Sequence, residues 1–464
     1  MRLRFLLFPT LSTVGLSVSP RSRFSIVMNR SKLLFSVLLR FSVSLVLTSA
    51  SLASDTPKPT SRIDLQSLVE DALRHNPELR FYEAELTAAR GDRKTAGQLA
   101  NPELSPQVGQ KRTIDPAGAV LGEGAAWTVS VSQTFEWPGR LALRKSIANR
   151  QVALAENGLA QFRSALAAKA RSLGYNLAIA QQIAEATRTV AERFIALQEV
   201  AVQRDPAGVT PVLETRILEA NSLTYGRRVS ESIQEARQAQ LELNLLRGQP
   251  FSNEVQVAVG GFKFLPSMEV GQLMRLARSN NFELRQRVLE LEQQGLKVEL
   301  AKNERYPAFT LSPYYTQERS LGEDRYLGVG ITLPLPLWNR NQGSIEASSA
   351  RQAQAQTVLQ VAERAIDSRI VELVSIYEAR VAEMARWRDD SLQRFHEAAD
   401  LADRHYRLGA VPISTYVEMQ KQSLDALEAL LKTRREAMDS AQQLELVTGT
   451  RLNLFTVNPE STTP

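Results

Sequence analysis

The chain has no cysteine in its 464 residues. That excludes disulfides, thiolate metal sites, a cysteine nucleophile and a lipid anchor carried on a cysteine. Histidine is nearly missing as well: His75, His396 and His405 are the only three, and no two have metal-ligand spacing in a polar loop, which argues against a zinc enzyme. There is no GxxxxGK[ST] phosphate loop and no GxSxG elbow. Gly328-Val329-Gly330 lies inside a strand pattern with no helix at the distance a dinucleotide loop needs. No enzyme activity, cofactor or resident metal is expected.

What is present is a chain with 43% hydrophobic and 23% charged residues, enough apolar content for a large folded body. The formal charge of +6 is misleading. Seven of the 56 basic residues (Arg2, Arg4, Arg21, Arg23, Arg30, Lys32 and Arg40) fall in residues 1–53, which hold no Asp or Glu. The other 49 face 50 acidic residues, so the folded body is close to neutral and no nucleic-acid surface is indicated. From Met28, the basic end, the apolar stretch from Phe41 to Leu47 and the small residues Ser51 and Ala53 predict a secretory signal cleaved after Ala53. Met1 to Val27 is either an upstream misassigned start or an extended basic region. Arg40 leaves the apolar run too short for a membrane anchor, and nothing after Ala53 reads as a transmembrane helix. An exported chain of this kind is either free in the periplasm or outside, or sits in an outer membrane as a barrel.

The most informative feature is an internal repeat. Asn76-Pro77-Glu78-Leu79-Arg80 recurs as Asn281-Phe282-Glu283-Leu284-Arg285, and Pro102 meets Pro307, all at an offset of 205. Val129, Val131, Phe135 and Arg140 match Val329, Ile331, Leu335 and Arg340 at 200. Pro211, Leu243 and Gly248 match Pro412, Leu444 and Gly449 at 201. The expected organisation is a leader over 1–53, a linker over 54–64, a first repeat over 65–249, a connection over 250–267, a second repeat over 268–449 and a tail over 450–464.

Each copy predicts the same order. A helix comes first, roughly Leu65 to Leu99 and Met268 to Arg305. Two strands follow, then a very long helix, roughly Leu141 to Arg204 and Gln342 to Arg407, a tight break and a returning helix. The long segments contain no Pro and are rich in helix formers. In the second, Val358, Ala362, Ile366, Ile370, Leu373, Tyr377, Val381 and Met384 step by three or four, the narrow stripe of a coiled coil. Periodicity alone would also suit a coiled-coil rod.

The strand segments argue otherwise. Trp127, Val129, Val131 and Phe135 alternate with Thr128, Ser130, Ser132 and Thr134, and Leu327, Val329, Ile331 and Leu333 alternate with Gly328, Gly330 and Thr332. Pro102 to Lys111 and Pro307 to Gln317 are less regular. Segments of about ten residues, apolar on one face and small or hydroxylated on the other, suit a tilted strand between lipid and a wet lumen. Four strands cannot close a barrel, and open edges are not tolerated in lipid. Several chains must then share one barrel, and three would supply twelve strands. The predicted fold is thus mainly α with a membrane β-barrel part: a duplicated helix-strand-strand-helix-helix unit with long coiled-coil helices and four strands per chain in a trimeric 12-stranded barrel.

This arrangement resembles the TolC-type outer membrane efflux family from about Leu65 to Gly449. Pro334-Leu335-Pro336-Leu337-Trp338-Asn339-Arg340-Asn341-Gln342-Gly343, with Gly139-Arg140 and Arg144 in the first copy, resembles its heavy-metal cation efflux branch. Tyr406-Arg407-Leu408-Gly409 resembles the family's tip element, while the first copy carries Asp205 at the Tyr position. The resemblance implies a homotrimer in the outer membrane of a Gram-negative-type cell, in contact with outer membrane lipid, whose helical part crosses the periplasm. Partners would be a periplasmic adaptor (membrane fusion) protein and an RND-type inner-membrane pump, and the chain would be a passive exit duct for substrate, heavy-metal cations by the branch resemblance. Gly208, Val209, Leu408, Gly409 and Ala410 become candidates for adaptor contact at the hairpin tips. Glu214, Tyr406, Thr415 and Glu418 become candidates for the gate or lumen, with Tyr406 bonding Glu214 to hold it shut; equally, the two glutamates could be solvated helix-face carboxylates. Asn339 and Asn341 are expected to cap the second long helix. The rival reading is a periplasmic coiled-coil structural or adaptor protein without a pore.

Overall fold

A computed structural model describes residues 62–204, 212–258, 261–387 and 391–458. All lie in one unit, Pro59–Pro464. The leader lies outside the described residues.

The first helical segment of each copy is two helices rather than one. Helix α1 (Leu65–His75) is followed by α2 (Leu79–Ala96), and α5 (Val270–Asn280) by α6 (Phe282–Asn303). The repeated Asn is the reason. Asn76 and Asn281 both have extended backbone, which ends the preceding helix. The Asn281 side chain then caps α6 by accepting from the Leu284 N–H at 2.9 Å. In the first copy Pro77 supports the break, because the residue before a proline is pushed out of the helical region.

The strand segments form one antiparallel sheet. Its members are β2 (Glu103–Ile114), β3 (Val120–Phe135), β6 (Phe309–Arg319) and β7 (Glu323–Thr332), in the order β2-β3-β6-β7. The short loops at Asp115 to Ala119 and Ser320 to Gly322 close the two hairpins.

Helix α3 (Arg140–Arg204) follows β3. At 1.5 Å per residue it is roughly 100 Å long. Helix α4 (Val212–Leu246) returns beside it. In the second copy the expected continuous helix is divided into α7 (Gln342–Ala385) and α8 (Ser391–Arg407). Arg386 and Trp387 tighten into i→i+3 bonds to Glu383 and Met384 at the end of α7, the bonding that terminates a helix. Helix α9 (Ile413–Thr448) returns.

Four short strands went unread in the sequence. Strand β1 (Arg62–Asp64) pairs in parallel with β4 (Gln256–Ala258), and β5 (Gly261–Phe264) pairs antiparallel with β8 (Phe455–Asn458). They tie the connection and the tail to the helices. The Tyr377 hydroxyl lies 2.7 Å from the carbonyl oxygens of both Leu265 and Leu454, and burial pushes its pKa up to about 12.

The core runs along the helices in clusters. Leu68, Ala72, Leu173 and Leu177 are buried together in one, and Leu273, Ala277, Leu373 and Tyr377 in another. The repeated glycines lock the helix returns. Gly248 and Gly449 have positive φ of 62° and 68°. A Cβ on Gly248 would come within 2.7 Å of the His75 carbonyl oxygen, and one on Gly449 within 2.2 Å of that of Asn280. Beside them the Asn76 amide donates to the Leu246 carbonyl at 2.8 Å, and the Asn281 amide to the Val447 carbonyl at 2.7 Å. The repeated Asn and Gly therefore meet in space, clamping the first helix pair of each copy to the end of its last helix.

Candidate functional site, a sheet with two faces and a helical tip

The register sorts the sheet's side chains cleanly. One face carries Ser105, Gln107, Thr128, Ser130, Ser132, Thr310, Ser312, Thr316 and Thr332. Hydroxyls bridge β3 and β6 on this face: Thr128 with Thr316 at 2.9 Å, Ser132 with Ser312 at 2.9 Å and Thr134 with Thr310 at 3.0 Å. The opposite face carries Leu104, Val108, Trp127, Val131, Phe309, Leu327, Val329 and Ile331, all exposed. Aromatic pairs bound that band. Trp127 meets Tyr315 with ring centroids 5.3 Å apart, and Phe135 meets Phe309 at 5.4 Å. Trp127 and Phe135 are eight residues apart on one strand, about 26 Å at roughly 3.3 Å per residue. That is close to the height of the apolar band on a membrane barrel, about 25 Å between aromatic girdles.

The hydroxyl face is concave at the loop end. Lys111 on β2 reaches across β3 to place its Nζ 2.8 Å from Glu318 on β6 and 2.8 Å from Asp324 on β7. Only a curled sheet lets one side chain span that distance. Gly124 stands in the intervening strand, opposite Lys111, where a Cβ would come within 2.0 Å of the Arg319 carbonyl oxygen. Among the described residues both outer edges, β2 and β7, have a strand partner on one side only.

Below the sheet, Arg140 buckles the two copies together. Its guanidinium donates to Asn303 Oδ1 at 3.1 Å and to the carbonyls of Asn303 at 3.2 Å and Tyr306 at 2.5 Å. It also lies 3.4 Å from Glu136. Asn303 donates back to the Pro138 carbonyl at 3.0 Å, and Trp137 stacks on Tyr306 at 4.9 Å. In the second copy the capping expectation is corrected. Asn341 occupies the N-cap position of α7 with φ of 60° but makes no side-chain cap bond. Its amide instead donates to the Ala301 carbonyl at 2.8 Å, and Asn339 Oδ1 accepts from the Asn341 N–H at 2.9 Å.

At the far end, Gly208 and Val209 lie outside the described residues. The second tip is defined. Gly409, with φ of 73°, bonds back to the Tyr406 carbonyl at 2.9 Å, and Ala410 to the His405 carbonyl at 2.8 Å. This is a Schellman stop, for which glycine is the low-strain residue. Leu408 and Ala410 are exposed beside it, Leu408 by 81%. Tyr406 is half-buried and stacks on Tyr416 with centroids 5.4 Å apart. Tyr416 meets Phe194, which stacks on Tyr225. Four aromatics therefore join α8, α9, α3 and α4 beneath the tip, a feature the sequence reading missed because they are scattered over 223 residues. Burial raises the pKa of both Tyr416 and Tyr225. Thr415 and Glu418 are exposed one turn apart on α9, and Glu418 accepts from Gln422 at 2.6 Å. Glu214 is half-buried in the first turn of α4. Lower down, Arg228 bridges to Asp425 at 3.1 Å and Glu428 at 2.6 Å. Its partial burial works against the charge, but the two carboxylates outweigh that and hold its pKa above the ordinary value.

Among the described residues no group of three His, Cys, Asp or Glu side chains could hold a metal ion, and no helix is long and apolar enough to cross a membrane.

Comparison with known proteins fits this division. Residues 273–450 match the family model described as outer membrane efflux protein. Over 295 residues the chain is 27% identical to the cobalt-zinc-cadmium resistance protein CzcC of Cupriavidus metallidurans, covering 63% of this chain and 67% of that one. Over 395 residues it is 24% identical to the pyoverdine export outer membrane protein OpmQ of Pseudomonas aeruginosa, covering 80% and 82%. Among solved structures the fold is similar to that of CusC, with a TM-score of 0.67 at 14% identity over 84% of this chain and 93% of that one. The resemblance read in the sequence therefore holds as a likeness to outer membrane efflux proteins, carried by the family match over 273–450, by the two relatives and by the fold. These likenesses support the reading of an outer membrane exit duct.

Proposed function

We propose that three copies of this chain build one twelve-stranded barrel and a helical tunnel beneath it, and that the assembly conveys heavy-metal cations passively outward. The observation that carries the reading is the four-stranded sheet itself. It is apolar on its outer face, hydroxylated on its concave face and open at both edges. An open edge in hydrocarbon leaves unpaired backbone groups at several kcal/mol each, so the sheet has to be completed. The two copies, 65–249 and 268–449, would then alternate six times around the wall. Cations are preferred as cargo because of the likeness to CzcC, a cobalt-zinc-cadmium resistance protein.

In this reading Leu408, Gly409 and Ala410, with Gly208 and Val209, offer the tips to a periplasmic adaptor that docks an RND-type pump. Energy comes from that pump. Glu214, Tyr406, Thr415 and Glu418 line the constriction near the tips, where carboxylates raise the local cation concentration. The test is native mass and conductance of detergent-extracted protein. A trimer that conducts in planar bilayers is expected; a water-soluble monomer refutes the reading.

A further inference from the structure

The concave face of the sheet gathers a charged cluster at its loop end, and the strand register explains how it assembles. Gly109 on β2, Ala126 on β3, Glu318 on β6 and Asp324 on β7 form one row across the sheet, each the cross-strand partner of the next. Directly paired residues share a face, so both carboxylates of that row stand on the hydroxyl side. Lys111 enters from the next row toward the loops, two residues beyond Gly109 and therefore on the same face. Gly109 and Ala126 put no long side chain in its way, and its own partner on β3 is Gly124. Its Nζ comes to rest 2.8 Å from Glu318 and 2.8 Å from Asp324. A compact ammonium on a flexible stem suits such a shared position.

The two rows on the helix side of this cluster hold only Gln, Ser, Thr, Tyr and Gly. The charge is therefore concentrated at one level. That level is the outer limit of the apolar band, because Ala126 is next to Trp127, whose ring meets Tyr315 on the opposite face. The side chains of Lys111 and Glu318 are 30% exposed and that of Asp324 is 52% exposed, so all three are open to the water on the concave side. Two carboxylates face one ammonium, which leaves the cluster with a single net negative charge.

We propose that Lys111 sets the ion selectivity of the exterior mouth of the duct. It acts as a tethered counter-ion: it cancels one of the two carboxylates and engages both, so that outgoing cations are favoured without a free carboxylate pair on which to lodge. The inference rests on the shared-barrel reading, in which the concave face lines the lumen and the loop end opens outward. Three copies then place three clusters around one opening. Low-dielectric walls focus their field, and at about 0.01 M salt the Debye length of about 30 Å lets the three act together.

The same contacts tie the first strand of the sheet to its last, so the test has to separate charge from tie. The measurement is the cation-to-anion permeability ratio of detergent-extracted trimer in planar bilayers under a potassium chloride gradient near 0.01 M. Lys111→Met should raise the ratio by about twofold or more. Glu318→Gln combined with Asp324→Asn leaves Lys111 alone and should drive the ratio below the native value. Both variants lose the tie, so a merely mechanical role would move them in the same direction. Asp324→Asn by itself keeps the Lys111–Glu318 pair, and with it a tie, and should fall between native and the double variant; it carries the test where the other variants do not assemble. All differences should fade in molar salt. Shifts of one sign, or no shift in any variant, overturn the role of Lys111 and leave the duct standing. A native protein that forms no conducting trimer overturns it together with the shared barrel.

Discussion

The two strand-to-helix joins arise from matching stretches of sequence and end in opposite situations. In the first, Arg140 is 7% exposed and gathers Asn303, the Tyr306 carbonyl and Glu136 around one guanidinium. In the second, every residue from Ile331 to Arg340 is exposed, Trp338 by 94%, and Arg340 makes no ion pair or hydrogen bond among the described residues. Among the described residues, the first join leans on the second copy, while the second join is left exposed. The lesson is that burial in a single chain records the order of its repeats: the last repeat shows as surface what the first repeat uses as core.

Replacing Arg140 should break this comparison hardest. Arg140→Ala removes donors from two part-buried carbonyls and from Asn303 Oδ1, while Glu136 keeps Arg144 at 2.5 Å. Leaving buried acceptors without their donor costs about 1–3 kcal/mol. Arg340→Ala in the unassembled chain should cost no more than about 0.5 kcal/mol, as for an ordinary surface site. Thermal unfolding of both variants in detergent checks the ranking. Equal losses would mean that the two joins are equivalent in the isolated chain.

The clamps give a closer comparison. Gly248→Ala and Gly449→Ala both force a side chain onto positive φ, at about 1–2 kcal/mol. Both also drive a Cβ against a carbonyl oxygen, at 2.7 Å in the first copy and 2.2 Å in the second. Gly449→Ala should therefore lower the melting temperature more than Gly248→Ala does. The reverse order would mean that the second clamp relaxes where the first cannot.

Much of this was legible in the sequence. The strand alternation around Trp127 and Leu327 gave the sheet and its two faces, because a period of two survives whatever the strands pair with. The repeated Asn76 and Asn281 were visible as a motif, but their role was not: a side chain that ends one helix and holds the last carbonyls of another 170 residues away leaves no local periodicity. The break after Ala385 was hidden for a similar reason. Neither Pro nor Gly marks it, and the good helix formers on both sides continue the pattern. The aromatic stack of Tyr406, Tyr416, Phe194 and Tyr225 draws on four helices, and each ring reads alone as an ordinary apolar position.

The smallest effect belongs to the tip, where the comparison is between Glu214 and Glu418. One is half-buried near the start of α4, and the other is exposed on α9 with Gln422 bonded to it. An exposed carboxylate contributes little to stability, so Glu418→Gln should leave unfolding unchanged within about 0.5 kcal/mol. Its effect should appear in conduction. Three Glu418 carboxylates around one constriction would attract cations through their combined field, and that attraction weakens with salt over a Debye length of about 10 Å at 0.1 M. Glu418→Gln should then reduce cation selectivity and divalent block at low ionic strength, with the difference fading in molar salt. Glu214→Gln, from a less exposed position, should do less. If Glu418→Gln changes neither selectivity nor block at any salt concentration, Glu418 is a solvated helix-face carboxylate, and the constriction must be sought elsewhere along the helices.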